Sequence, residues 1–203
     1  MTLADVRQVR RRFLLLSATR WFPVGLLIPV LFVLLQERGL SLATIGLLSG
    51  LSSAVVVLLE LPTGGLADTI GRRPVLLTAG LLSLASMSIT AFSESVALFA
   101  VAWTIEGVFR ALDSGALESW YVDAAQAADP DADIESGLAA ESVAISAALA
   151  AGALVGGVLA LVPAPGSWPV LALPVLVAIA LRVCDLAILW RLLEEDRAPV
   201  GGA

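Results

Sequence analysis

Six stretches of this 203-residue chain are each long enough and apolar enough to cross a bilayer. A hydrocarbon core of roughly 30 Å needs roughly 20 apolar residues per helix. The stretches cover about 13–35, 42–61, 74–92, 96–120, 137–162 and 168–193. Of all residues, 59% are hydrophobic and 15% charged, against about half and a quarter in soluble domains. One core of this size could not hide so much apolar surface, so lipid is the expected solvent. An all-α integral membrane bundle of six transmembrane helices follows, because helices satisfy their own backbone in lipid.

The breaks between spans carry turn chemistry: Gln36-Glu37-Arg38-Gly39, Pro62-Thr63-Gly64-Gly65, Ser93-Glu94-Ser95 and Pro163-Ala164-Pro165-Gly166-Ser167. The 128–136 loop is acidic, with Asp129, Asp131, Asp133 and Glu135. The tail 194–203 is charged, then Pro/Gly-rich, and is expected to be a disordered cytoplasmic segment. Arg7, Arg10, Arg11 and Arg12 resemble the basic start of a signal peptide. The apolar run after them is too long and five spans follow, so it is read as a retained first helix.

Arginine placement sets the expected orientation. With the amino terminus inside, the inner segments hold Arg7, Arg10, Arg11, Arg12, Arg72, Arg73, Arg191 and Arg197, and the outer loops hold only Arg38. The positive-inside rule then puts both termini in the cytoplasm. Trp168 is expected at the outer interface, and Trp120, Tyr121 and Trp190 at the inner one. The arginine-only basic set and the Ala, Leu, Val and Gly content point to a bacterial inner (plasma) membrane protein.

Several functions are disfavoured. The net charge of −6 argues against a nucleic-acid partner. There is no histidine and one cysteine, Cys184, which removes an intrachain disulfide, the usual zinc sites and Ser-His-Asp chemistry. The chain is therefore expected not to be an enzyme and to take no cofactor. Cys184 is read as a small buried hydrophobe.

The loop between the second and third spans reads Gly64-Gly65-Leu66-Ala67-Asp68-Thr69-Ile70-Gly71-Arg72-Arg73-Pro74-Val75-Leu76. Gly64 and Gly71 permit close backbone approach or positive φ. Asp68 opposes Arg72 and Arg73 at the membrane surface, where they can form a salt-bridged latch. The loop resembles the signature loop of major facilitator superfamily transporters, departing only at Thr69, where that family usually has a basic residue. The resemblance implies the amino-terminal six-helix half of such a transporter, built of two inverted three-helix repeats. It further implies that Asp68 faces a helix start in a carboxy-terminal half, where the dipole favours negative charge.

Two further patterns are weaker. Arg110 to Ala116 is similar to the family's R-x-x-x-G pattern in the fourth helix, with the glycine displaced by one and Asp113 in place of an amide. Gly152-Ala153-Leu154-Val155-Gly156-Gly157 is similar to the exporters' G-x-x-x-G-P pattern without its proline, and leans towards efflux. Small-xxx-small helix packing is the favoured reading of these glycines.

Ionisable residues at membrane depth mark function or an internal pair. Those recognised are Arg20, Glu60, Glu106, Arg110, Asp113, Arg182 and Asp185. Glu106, Arg110 and Asp113 share one helical face at i,i+4 and i,i+3 spacing. With three arginines against four acids, one carboxyl is left over, and Glu106 or Asp113 is the candidate for proton coupling. A purely structural salt-bridge cluster is the equal alternative. Trp21 and Trp103 lie in helices that line the family's central cavity, where they could contact a substrate. Pro23 and Pro29 are expected to kink the first helix.

The expected function is secondary active transport of a small solute driven by a proton gradient. The family binds substrate at the midplane between two halves. The expected partners are therefore membrane lipid, a small-molecule substrate, and a separately encoded carboxy-terminal half or a homodimer. A truncated, inactive product is the favoured reading of the missing half. A non-transporting module that uses the basic terminus on anionic lipid is the other alternative.

Overall fold

The computed structural model describes residues 5–162 and 171–193, and the surroundings of all of these except Leu61, Pro62, Gly64 and Asp68. Within them the chain is all-helical: α1 Val6–Glu37, α2 Leu42–Gly64, α3 Leu66–Ile70, α4 Arg72–Phe92, α5 Val96–Asp113, α6 Ala116–Ala128, α7 Ile134–Ala160 and α8 Ala172–Leu192. Five of these, α1, α2, α4, α7 and α8, are long and apolar enough to cross a membrane. The stretch expected to be the fourth span forms two shorter helices, α5 and α6.

The helices start where the sequence offers caps. Ser41 accepts from the Thr44 N–H at 3.2 Å, Ser95 from Leu98 at 3.3 Å and Asp133 from Ser136 at 3.0 Å. Each satisfies a backbone donor that the first turn leaves free. The Ser136 bonds also hold the Asp133 carboxyl below its ordinary pKa. Helix α4 begins after Gly71, whose φ of 98° favours glycine, and carries Pro74 in its first turn, where no N–H is needed.

Several sequence expectations shift. The arginine-rich start belongs to α1 itself, capped by Asp5. Pro23 and Pro29 lie inside that helix without ending it. The fourth span is interrupted at Ser114-Gly115, with Gly115 at φ 74°. Trp120 and Tyr121, expected at the interface, are core residues 5% and 1% exposed. They pack with Val9, Phe13, Leu76, Ala125 and Leu189 at one end of the bundle, and the Phe13 and Tyr121 rings stack at 4.3 Å. Trp190 is exposed, and Cys184 is exposed where burial was expected. Trp168, the 163–167 turn and the 194–203 tail fall outside the described residues.

A smaller cluster of Leu35, Leu40, Ile45, Leu48 and Phe99 closes the other end of the bundle. There Arg38 donates to the carbonyls of Ser93 and Ala91, tying the α1–α2 turn to the end of α4. The outward faces of α2 and α7 expose Leu47, Val57, Leu58, Val143, Leu154 and Val158. Such apolar faces would be a liability in water and suit lipid.

Helix α1 packs most extensively on α7, and glycine is the reason. A Cβ on Gly152 would meet the Phe22 carbonyl and the Leu26 nitrogen; one on Gly25 would meet the Leu149 backbone at 2.6 Å. A Cβ on Gly156 would collide with the Leu26 carbonyl, whereas Gly157 faces open space. Gly152 and Gly156 are thus a small-xxx-small contact surface, as the favoured reading had it.

Candidate functional site: a buried ion network beside two cavities

Opposite the glycine seam, α1 faces α5 and α8 through charge. The Arg20 Nε–H donates to Asp113 on α5, and its Nη1 lies 3.9 Å from Asp185 on α8. Arg182 donates to Asp185 at 2.9 Å, and the Thr19 hydroxyl reaches the other Asp185 oxygen at 3.1 Å. The Arg20 and Arg182 guanidinium groups stand 5.6 and 5.4 Å from the Phe109 ring centroid, within cation–π range. Arg20, Arg182 and Asp185 are 2%, 0% and 1% exposed.

The network holds two cations and two anions, so it closes without net charge. Removal of one partner would leave its counterpart charged at depth, which is far more costly than the pair itself. Yet hydrogen bonding is incomplete. Among the described residues, Nη1 of Arg20 and Nε and Nη2 of Arg182 are buried without a hydrogen-bond partner.

Glu106 and Arg110 stand apart from this network. Neither makes an ion pair among the described residues, with each other or with a third group. Their side chains line a cavity of about 270 Å³ between α1, α2, α4 and α5. Its walls are apolar on the α1 side, with Val24, Leu27, Ile28 and Leu31, and carry hydroxyls on the other, with Ser49, Ser52, Ser53 and Thr90. Trp103 lines it as well. The Ser86 hydroxyl, which donates to the Ala102 carbonyl at 2.9 Å, lines the same cavity.

A second cavity of about 300 Å³ lies on the far side of Arg110. It gathers Arg20, Trp21, Glu60, Asp113, Glu118 and Glu141. The Ser114 hydroxyl is 3.4 Å from Glu60 there, and the Ser17 hydroxyl is 2.8 Å from Glu141. The break between α5 and α6 opens onto this space, since Ser114 and Gly115 line it.

The candidates found by sequence are thereby sorted. Asp113 pairs across the bundle with Arg20, not along its own helix with Arg110. Trp103 and Trp21 line separate cavities. Arg182 and Asp185 form one corner of the network and Glu60 the rim of the second cavity. Glu118 and Glu141 were missed, since each falls near the end of an apolar stretch, where a charge does not stand out. Thr19, Ser17 and Phe109 carry no signal of their own, since their roles arise only from helix packing.

At the bundle end that holds Tyr121, the 64–76 loop is tied to its own half. Arg72 ion-pairs with Asp123 on α6. Arg73 donates to the Trp190 carbonyl and stacks 4.2 Å over that ring. Arg10 donates to the Ser136 carbonyl at 3.2 Å, joining α1 to the start of α7. Asp68 and Gly64, expected in the latch, lie outside the described surroundings. No group of three His, Cys, Asp or Glu among the described residues is placed to hold a metal ion.

A family model described as Major Facilitator Superfamily matches residues 13–202. No curated protein matches the chain.

Proposed function

Because the chain belongs to the Major Facilitator Superfamily, we propose that it forms one wall of a secondary transport pathway for a small solute. Membership makes it a multi-pass membrane transporter protein; the coupling, the direction and the partner are the proposal. The observation that carries it is the pair of cavities against α1 and α5. Both open beside ionisable residues that a purely structural bundle would exclude from membrane depth.

A proton is the coupling ion. Glu106, outside the closed network and on a cavity wall, is the carboxyl that takes and releases it, with Asp113 as its alternative. Arginine placement puts both termini in the cytoplasm, in a bacterial inner membrane. The second wall comes from another six-helix unit, a second copy or a separately encoded half, since transporters of this kind work between two bundles. Efflux is the proposed direction, on the Gly152 to Gly157 pattern alone.

The test is reconstitution of the purified chain into liposomes with a trapped pH indicator. A panel of cationic, anionic, zwitterionic and uncharged solutes is added, and crosslinking reports the assembly. Proton movement driven by at least one solute, with crosslinked pairs of bundles, is expected. Paired bundles with no solute-driven proton movement would overturn the reading.

A further inference from the structure

We propose that the cavity between α1, α2, α4 and α5 binds a small zwitterion of the amino-acid type, with its ammonium on Glu106, its carboxylate on Arg110 and an apolar side chain against α1. The inference deepens the transport reading and rests on it for its biological role, though binding can be measured without transport.

Charge is the first reason. Arg20, Arg182, Asp113 and Asp185 neutralise one another behind the cavity. Glu106 and Arg110 are left on its wall, one negative and one positive, neither ion-paired. They are one turn apart on α5, about 6 Å along the helix axis. A cation alone would meet Glu106 and be opposed by Arg110; an anion alone would meet the reverse. A ligand carrying both charges a few bonds apart satisfies both groups at once. A guanidinium holds a carboxylate by two parallel hydrogen bonds, which also fixes its orientation.

Shape is the second reason. The rest of the cavity is divided between an apolar wall of Val24, Leu27, Ile28 and Leu31 and hydroxyls from α2 and α4. The apolar wall suits an aliphatic side chain, and the hydroxyls can complete the ammonium shell. At about 270 Å³ the space falls just below the range of about 300–1,000 Å³ typical of drug-sized ligands. A compact solute such as leucine is the appropriate scale.

The competing electrostatics are explicit. Glu60, Asp113, Glu118 and Glu141 lie across Arg110 in the second cavity, and Arg182 acts on Glu106 from behind. None forms an ion pair with Glu106 or Arg110 among the described residues.

The experiment is equilibrium binding of radiolabelled leucine to the full chain in lipid nanodiscs. Competitors are leucine methyl ester, which keeps only the ammonium, and N-acetyl-leucine, which keeps only the carboxylate. Leucine is expected to bind, with each analogue competing at least about tenfold more weakly. In Glu106→Gln the acetylated analogue is expected to match or exceed leucine, and in Arg110→Gln the ester. Equal competition by all three compounds, preference for either singly charged analogue, or no leucine binding would overturn the proposal, and none of these needs a variant to fold. The expected binding pattern without proton flux in liposomes would count against transport alone. Flux driven only by a singly charged solute would count against the zwitterion alone.

Discussion

Helix α1 is held on two sides by opposite means. Towards α7 the middle of the helix meets glycine: backbone touches backbone at Gly25, Gly152 and Gly156, and the polar contacts of Arg10 with Ser136 and Ser17 with Glu141 lie nearer its start. Towards α5 and α8 it meets charge: Arg20 joins Asp113 and Asp185, and Arg182 closes the set around Phe109. The glycine side depends on shape, because a gap of about 0.5–1 Å already forfeits a quarter to a half of a dispersion contact. The charged side depends on neutrality and tolerates rearrangement, since long side chains with free N–H groups can exchange partners. A transporter needs both, a helix fixed to one neighbour and adjustable against others.

The largest expected effect comes from breaking the charged side. Arg182→Met leaves Asp185 buried with the Thr19 hydroxyl and only the more distant Arg20 as a cation, and should destabilise the bundle by about 3–5 kcal/mol. Arg182→Met with Asp185→Leu should recover most of that loss. Thermal unfolding of the purified chain in detergent measures both, and equal losses for single and double variants would mean that the network is held by packing and not by charge.

The glycine side should yield next. Gly156→Val forces side-chain atoms into the Leu26 backbone and should cost about 1–3 kcal/mol by the same assay. Gly157→Ala, one residue on and facing open space, should change stability by less than about 0.5 kcal/mol. Comparable losses at both positions would remove the distinction between a shaped seam and a generic small-residue stretch.

Charges at the bundle end should matter least, which separates membrane depth from surface. Asp123→Asn removes the exposed partner of Arg72 and should cost under about 1 kcal/mol. The Asp133 cap should show itself only in acid. Its carboxyl is held low in the folded state by Ser136. Its contribution is therefore complete above the unfolded value of about 3.9 and is lost as pH falls through the lower folded value. Lower protection against hydrogen exchange, relative to the intrinsic rate at each pH, should appear at the start of α7 below about pH 4 in the native chain, and Asp133→Asn should remove that pH dependence.

Much of this arrangement was legible in the sequence, because membrane solvation is written in run length. The apolar stretches located five helices long and apolar enough to cross a membrane, and the Gly64 to Leu76 loop pointed to the family whose model matches. Depth also marked Arg20, Glu106, Asp113, Arg182 and Asp185 as worth explaining. What sequence could not supply was partner choice. The i,i+3 and i,i+4 rule sees one helix at a time, so it joined Asp113 to Arg110, whereas packing brings Arg20 across from α1. The break at Ser114-Gly115 was present as a turn dipeptide, hidden by apolar residues on both sides. Glu118 and Glu141 were overlooked because each sits near the end of an apolar stretch, where charge is ordinary. Their gathering in the second cavity depends on how α6 and α7 lie against α1.

The central claim is that a carboxyl beside the α5 cavity couples solute movement to protons. The direct measurement is solute-driven proton flux in liposomes carrying the native chain, Glu106→Gln or Asp113→Asn, with assembly checked by crosslinking. The native chain should move protons, and Glu106→Gln should abolish that movement while remaining folded and assembled. Asp113→Asn should lose it only if Asp113 is the coupling group instead. Unchanged proton flux in both variants would contradict the claim and leave the charges of α5 a structural cluster.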